Sequence, residues 1–211
     1  MKVCIISNGE FKDSNYFKKA IDECDVVICA DGGANIAYKL GIMPNYIVGD
    51  LDSADDKIID YYLQQGVIIE KHPTMKDETD SQLATIKAID IGANEIVYLA
   101  TIGSRFDHSL ANLSLLLYLL KRKIKGKILS EKNEVYLIDD FIELEGKSGD
   151  VVSLIPYSLD VRGIYTEGLF YPLSGQDMSL EMPYGISNVF TDSKIKIKIN
   201  SGYLLVIKSK D

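Results

Sequence analysis

The sequence predicts an α/β protein in two parts. The first is a doubly wound, parallel-sheet (Rossmann-like) N-terminal domain, and the second a small antiparallel, all-β, sandwich-like C-terminal domain. Three observations carry this. Up to about residue 123, short β-rich runs alternate with helical stretches, which is the grammar of βαβ units. Those runs are apolar almost throughout, as strands covered on both faces are. After Lys125 the helical periods stop, and short strands separated by Gly, Asn and Ser turns remain. The boundary falls between about 124 and 146, since the first hairpin can either extend the parallel sheet or begin the second domain, and is drawn here as 1–125 and 126–211.

In chain order the first half reads KVCIIS (2–7), DVVICA (25–30), NYIVG (45–49), GVIIE (66–70) and NEIVYLA (94–100) as strands. The expected helices are about 13–23, 33–40, 54–65, 79–91 and 107–122. The second half offers KILSE, EVYLID, DVVSLIPY, VRGIYT, IKIKIN and YLLVIK. No internal repeat or low-complexity linker interrupts it.

At 211 residues the chain can bury a sizeable core. Lys and Arg total 23 against 31 for Asp and Glu, a net charge of −8, which repels a phosphate backbone and an anionic membrane alike. Nucleic acid and membrane partners are therefore not expected. A polyphosphate site in such a chain needs a metal ion or placed basic residues. Cys4, Cys24 and Cys29 lack metal-binding spacing and read as small buried hydrophobes in a reducing compartment. The opening MKVCIISNGE reads as a strand rather than a signal segment, and LANLSLLLYLL (110–120) is about half a membrane span. The expected location is the cytoplasm.

In an open parallel sheet the ligand crevice lies beyond the carboxyl ends of the strands, and there the acidic residues gather. DVVICA is followed by DGGAN (31–35), NYIVG by DLDS (50–53), GVIIE by HPTMKDETD (72–80) and NEIVYLA by TIGSRFDHSLAN (101–112). Asp50 and Asp52, at i and i+2 of an extended segment, project to one side, where like charges repel unless a cation separates them. Asp31, Asp52, Asp77 and Asp107 each also sit where a helix N-cap belongs, and Thr79 with Gln82 has capping-box spacing. Capping leaves Asp50, Asp80, Lys76 and Arg105 without a role. A carboxylate cluster with two cations beside it suits a hard divalent metal holding a nucleotide polyphosphate. Gly32 and Gly33 let the backbone approach a ligand at a helix N-terminus, and no P-loop or G-x-G-x-x-G is present. His108 reads either as a base or as a packing residue at a helix start.

Taken together, ADGGAN (30–35), GDLDS (49–53), KDETD (76–80), GSRFDHSLANL (103–113), GLFYPL (168–173), YGISN (184–188) and GYLLVI (202–207) resemble the successive motifs of the thiamine pyrophosphokinase family. The resemblance spans nearly the whole chain in order. It implies a homodimer that binds thiamine between the catalytic domain of one subunit and the β domain of the other. It further implies transfer of the pyrophosphoryl group of ATP to thiamine with release of AMP. By motif, Asp50, Asp52 and Asp80 would coordinate Mg²⁺, and Lys76 and Arg105 would hold phosphates. Asp31, Gly32, Asn35, Asp77, Thr79, Asp107 and Asn112 would complete the cleft, with Asp107 the preferred base. Ser187 and Asn188 would belong to the thiamine side. Two departures stand out: Ser104 fills a place where the family often has a second glycine, and the chain has no tryptophan to lie against thiamine, for which Tyr184 or Phe190 would substitute.

Three other readings stay open on the sequence. One takes DLDS as the nucleophile loop of a haloacid dehalogenase-like phosphatase. Another keeps the diphosphokinase chemistry but gives it a pterin alcohol. The last is a non-catalytic nucleotide sensor.

Overall fold

The computed structural model describes residues 1–12, 14–75 and 77–210. The chain forms two compact units, Met1–Glu131 and Lys132–Asp211.

In the first unit, strands β1 (Lys2–Ile6), β2 (Val26–Ala30), β3 (Tyr46–Gly49), β4 (Ile68–Lys71), β5 (Glu95–Leu99) and β6 (Lys125–Leu129) alternate with helices. These are α1 (Ser14–Asp22), α2 (Gly33–Leu40), α3 (Asp56–Gln64), α4 (Asp80–Asp90) and α5 (Phe106–Leu120). The strands lie in the order β6-β5-β1-β2-β3-β4 and every pairing is parallel. Four residues of β1, of β2 and of β5 are buried in succession, so helices cover both faces. On one face Cys4, Cys29, Ile47 and Leu99 join Phe17, Ala37 and Tyr62 of α1, α2 and α3 in a single core. On the other, the Thr85 hydroxyl of α4 meets the buried Tyr98 hydroxyl of β5 at 2.8 Å.

Two expectations change here. GVIIE does not lie covered on both faces: β4 is last in the strand order and Ile68 is 52% exposed. The run opening the expected β domain, KILSE, contributes instead to β6, parallel to β5. A strand reached through a helical crossover continues the parallel sheet, and α5 is that crossover. The three cysteines are free thiols, with Cys4 and Cys29 buried. No helix among the described residues is long and apolar enough to cross a membrane.

The second unit contains β7 (Asn133–Ile138), β8 (Phe141–Glu145), β9 (Val151–Pro156), β10 (Asp160–Glu167), β11 (Ser174–Ser179), β12 (Gly185–Val189), β13 (Lys194–Lys198) and β14 (Leu204–Ser209). One antiparallel run has the order β12-β9-β14-β7, and a four-stranded sheet has the order β11-β10-β13-β8. Alternation is strict in β13, where Ile195 and Ile197 point inward between exposed lysines. Leu154 and Val206 of one run pack with Val161, Ile164, Ile195 and Ile197 of the other sheet, as in a sandwich. Strands β8, β11 and β12 are absent from the sequence reading. Ser-Gly-Gln-Asp and Gly-Ile-Ser-Asn are turn-like compositions, and their strands exist because neighbours supply the hydrogen bonds.

Candidate active site

The strand order reverses beside β1, with β2 on one side and β5 on the other, and the carboxyl ends there open into a cleft of about 630 Å³. Its walls include Asp31, Asp50, Asp52, Thr79, Asp80, Arg105 and Asn112, all anticipated, together with Ser7, Asn8, Gly9, Glu10, Ser53, Ser81, Thr101 and His108.

Local backbone explains the acidic cluster. Asp31, Leu51 and Ala100 hold positive φ of 46°, 68° and 52° at the ends of β2, β3 and β5. Non-glycine residues adopt such angles at a cost and they concentrate at functional sites. The DLDS segment is therefore not extended. Leu51 turns the chain left-handed and the Asp52 N–H donates to Asp50 Oδ1 at 3.2 Å, so a tight turn brings the two carboxylates together. The Ser53 N–H donates to Asp31 Oδ1 at 3.3 Å, and the Ser53 hydroxyl to Asp52 Oδ1 at 2.9 Å. Carboxylate oxygens of Asp31, Asp50 and Asp52 lie within 4.8 Å of one another. Burial pushes the Asp31 carboxyl above its ordinary range, and the nearby charge of Asp80 adds to this against the hydrogen bonds from Gly32 and Ser53. Three hard oxygen donors converging around a destabilised carboxylate fit a divalent cation.

Helix capping does not account for these groups. The cap of α3 is Asp55, which accepts from the Lys57 N–H at 2.9 Å, not Asp52. The cap position of α2 is Gly32 and that of α5 is Arg105; Asp31 and Asp107 cap neither helix. Thr79 does cap α4, accepting from the Gln82 N–H at 3.2 Å.

The remaining expected residues fall in several places. Asn35 braces the acidic loop, donating to the Ser53 carbonyl and accepting from the Asp55 N–H, both at 2.9 Å. Gly32 makes room for Asn8, whose amide nitrogen would stand 2.4 Å from an added Cβ. Asp77 is exposed in the turn before α4, and Lys76 lies outside the described residues. Arg105 donates to Asp107 through Nε (3.3 Å) and Nη2 (2.7 Å). That pairing holds the Asp107 carboxyl below its ordinary range, and Asp107 lies outside the cleft wall. Within the second unit Ser187 is exposed, with φ 56°, at a bulge of β12. Asn188 is buried: its Oδ1 accepts from the Tyr171 N–H at 3.0 Å and its Nδ2 donates to the Tyr171 carbonyl at 2.8 Å. This amide joins the GLFYPL and YGISN segments. Phe190 is 1% exposed in the core and cannot stack on a ligand, whereas Phe170, Tyr171 and Tyr184 are exposed.

The loop after β1, Ser7–Glu10, went unread in the sequence. The rule used for the other strands, that the loop after a strand's carboxyl end faces the ligand, finds it when applied to KVCIIS.

Comparison with known proteins agrees with this geometry. Residues 17–128 match the family model "Thiamin pyrophosphokinase, catalytic domain" and residues 141–204 match "Thiamin pyrophosphokinase, vitamin B1 binding domain". The chain is 28% identical over 194 residues to the thiamine pyrophosphokinase of Bacillus subtilis (strain 168), covering 90% of each chain. It is 25% identical to thiamine pyrophosphokinase 1 of Oryza sativa subsp. japonica, covering 90% of this chain and 81% of that one. The crystal structure of the Bacillus subtilis protein superposes with a TM-score of 0.91 at 25% identity over the whole of both chains. That of thiamin pyrophosphokinase from Geobacillus thermodenitrificans gives 0.86 at 25% identity, over 100% of this chain and 98% of that one. With both family models matched in order and the acidic cleft in place, the chain belongs to the thiamin pyrophosphokinase family.

Proposed function

We propose that this member of the family transfers the pyrophosphoryl group of ATP to the hydroxyethyl oxygen of thiamine in a Mg²⁺-dependent reaction. The oxygen–phosphorus bond forms at the β-phosphorus, the bond to the α–β bridging oxygen breaks, and AMP and a proton leave. The observation that carries this reading is the convergence of Asp31, Asp50 and Asp52 within 4.8 Å. Asp31, Asp50 and Asp52 would hold the metal, with Asp80 beside them. Asp31 thus joins the set of Asp50, Asp52 and Asp80 that the family resemblance gave. When bound, Mg²⁺ withdraws charge from the β-phosphorus and stabilises the leaving AMP.

The chain's own residues supply position. Ser53 and Asn35 fix the acidic loop. Arg105, on the cleft wall, offers its guanidinium to a phosphate, and Asp107 orients it through the two-point pairing. A carboxylate held low by an arginine is a poor base, so Asp107 serves as a positioning residue. A loose phosphoryl-transfer transition state places little charge on the nucleophile and asks little of a base. Exposed Phe170 and Tyr171, packed edge to face at 4.9 Å, offer an aromatic surface to the thiazolium cation, and a second copy of the chain would complete the thiamine site. The free thiols fit a reducing compartment such as the cytoplasm.

The rival readings lack support. The DLDS loop comes after β3 rather than after the first strand, as the phosphatase would have it, and the second family match is to a vitamin B1 rather than a pterin domain. The test is incubation with thiamine, ATP and Mg²⁺ and then chromatography. AMP forming in step with thiamine pyrophosphate is the expected result; intact ATP, or ADP in place of AMP, overturns the proposal.

A further inference from the structure

Among the described residues the Thr101 hydroxyl is the one buried side-chain polar atom without a hydrogen-bond partner. Thr101 is 4% exposed and lies on the cleft wall immediately beyond β5, where the strand order reverses. The backbone that carries this hydroxyl is fixed. The Ala100 carbonyl accepts from the Gly9 N–H at 2.6 Å, the Ile102 carbonyl from the Glu10 N–H at 3.2 Å, and the Thr101 carbonyl from Asn112 Nδ2 at 2.7 Å. Ala100 itself is held at φ 52°. A β-branched side chain on a clamped backbone has little rotamer freedom. A buried hydroxyl left unpaired lowers stability, and a costly arrangement so firmly held points to a ligand that completes it.

The cleft also sorts chemistry along its length. Asp31, Asp50 and Asp52 stand at the ends of β2 and β3 and suit the metal-bound polyphosphate. Thr101 is tied to the segment after β1 and to Asn112, where Ser7, Gly9 and Asn112 are uncharged and Glu10 carries the one carboxylate of that segment. Neutral polar groups and a hydroxyl, with the Glu10 carboxylate as a hydrogen-bond acceptor beside them, fit the sugar and base of a nucleotide. We propose that the Thr101 hydroxyl hydrogen-bonds the nucleoside portion of the nucleotide co-substrate, at a ribose hydroxyl or a base nitrogen. Thr101 is then a nucleotide-binding residue whose apo-state cost is relieved on binding. This rests on the nucleotide-dependent reaction proposed above.

Thr101→Val keeps the shape and removes the hydroxyl. Three results are expected together. The ligand-free variant melts at a higher temperature than the parent. Its KM for ATP rises about tenfold, the effect of losing one hydrogen bond worth ~1.4 kcal/mol, while its KM for thiamine is unchanged. AMP, which carries the nucleoside without the pyrophosphoryl group, binds more weakly by calorimetry. Thr101→Ser, which retains a hydroxyl, keeps parental AMP affinity, and Thr101→Ala supplies the hydroxyl-free comparison if the valine variant does not fold. AMP affinity that is the same in the hydroxyl-free variants and the parent overturns the proposal, as does a loss shared equally by Thr101→Ser. AMP binding is read without turnover, so a parent protein that binds AMP yet makes no thiamine pyrophosphate refutes the function and still tests Thr101.

Discussion

At the scale of single residues, the acidic cleft is a conflict between stability and use. Asp31 is buried beside Asp80 and its carboxyl is raised from the ordinary 3.8. A carboxyl raised on folding contributes stability below its unfolded pKa, and that contribution is lost as pH rises through the folded value. In metal-free protein, Asp31→Asn is therefore expected to raise the melting temperature relative to the parent. The difference should grow as pH climbs from below the ordinary carboxylate range toward neutrality, and Mg²⁺ should no longer stabilise the variant as it does the parent. A variant that gains nothing at neutral pH would remove Asp31 from the strained set. Asp52→Asn keeps shape and removes charge, and kcat should fall by about a hundredfold or more with a raised Mg²⁺ requirement. Near-normal turnover at low Mg²⁺ would exclude Asp52 from the metal site. These carboxylates were readable as a cluster because each comes after a strand. That Asp31 converges with Asp50 and Asp52 was not readable, since the grouping depends on a left-handed Leu51 and on Ser53 reaching across to Asp31.

At the scale of elements, glycines at the junctions show how closely strands and helices approach the cleft. A Cβ on Gly33, the first residue of α2, would stand 2.0 Å from the carbonyl oxygen of Ile6 in the central strand β1. Neither backbone can yield, so Gly33→Ala should destabilise the protein by about 3 kcal/mol or more, measured by urea unfolding. A Cβ on Gly32 would instead meet the Asn8 side chain, which can swing away. Gly32→Ala is expected to melt close to the parent while losing activity, because it displaces a cleft residue. In the β unit, Asn188→Ala strands both polar groups of the Tyr171 backbone and should cost about 2–3 kcal/mol. Helix positions were largely readable from hydrophobic period, but their caps were not. Asp52, Asp55 and Asp56 are equivalent as sequence, and only the packing that buries Ile59 and Tyr62 against the sheet sets the phase that makes Asp55 the cap. Strand β12 was hidden for a related reason. Its Gly-Ile-Ser-Asn composition suits a turn, and it pairs through a bulge with β9, a partner 34 residues away across the Ser187–Ser153 hydrogen bond.

At the scale of the molecule, the net charge of −8 sets the terms for both substrates. Anionic walls attract a thiazolium cation and oppose a polyphosphate that arrives without metal. The kcat/KM for thiamine is therefore expected to fall as ionic strength rises at fixed Mg²⁺ and ATP, and an unchanged value would mean that the field plays no part in capture. What the sequence determined by itself is the alternation of elements, the parallel grammar of the first unit, the strand-and-turn character of the second and the delivery of acidic loops to one edge. These are local properties: period, composition and position after a strand are written in neighbouring residues. What only the tertiary structure decided is which loops meet. The Ser7–Glu10 loop joins the cleft through hydrogen bonds to the carbonyls of Leu99, Ala100 and Ile102, and Thr101 is left with an unpaired hydroxyl only once those partners are in place. Such contacts arise from the strand order, which pairs β1 with β5 across more than 90 residues of chain, and no local pattern in either segment records its partner.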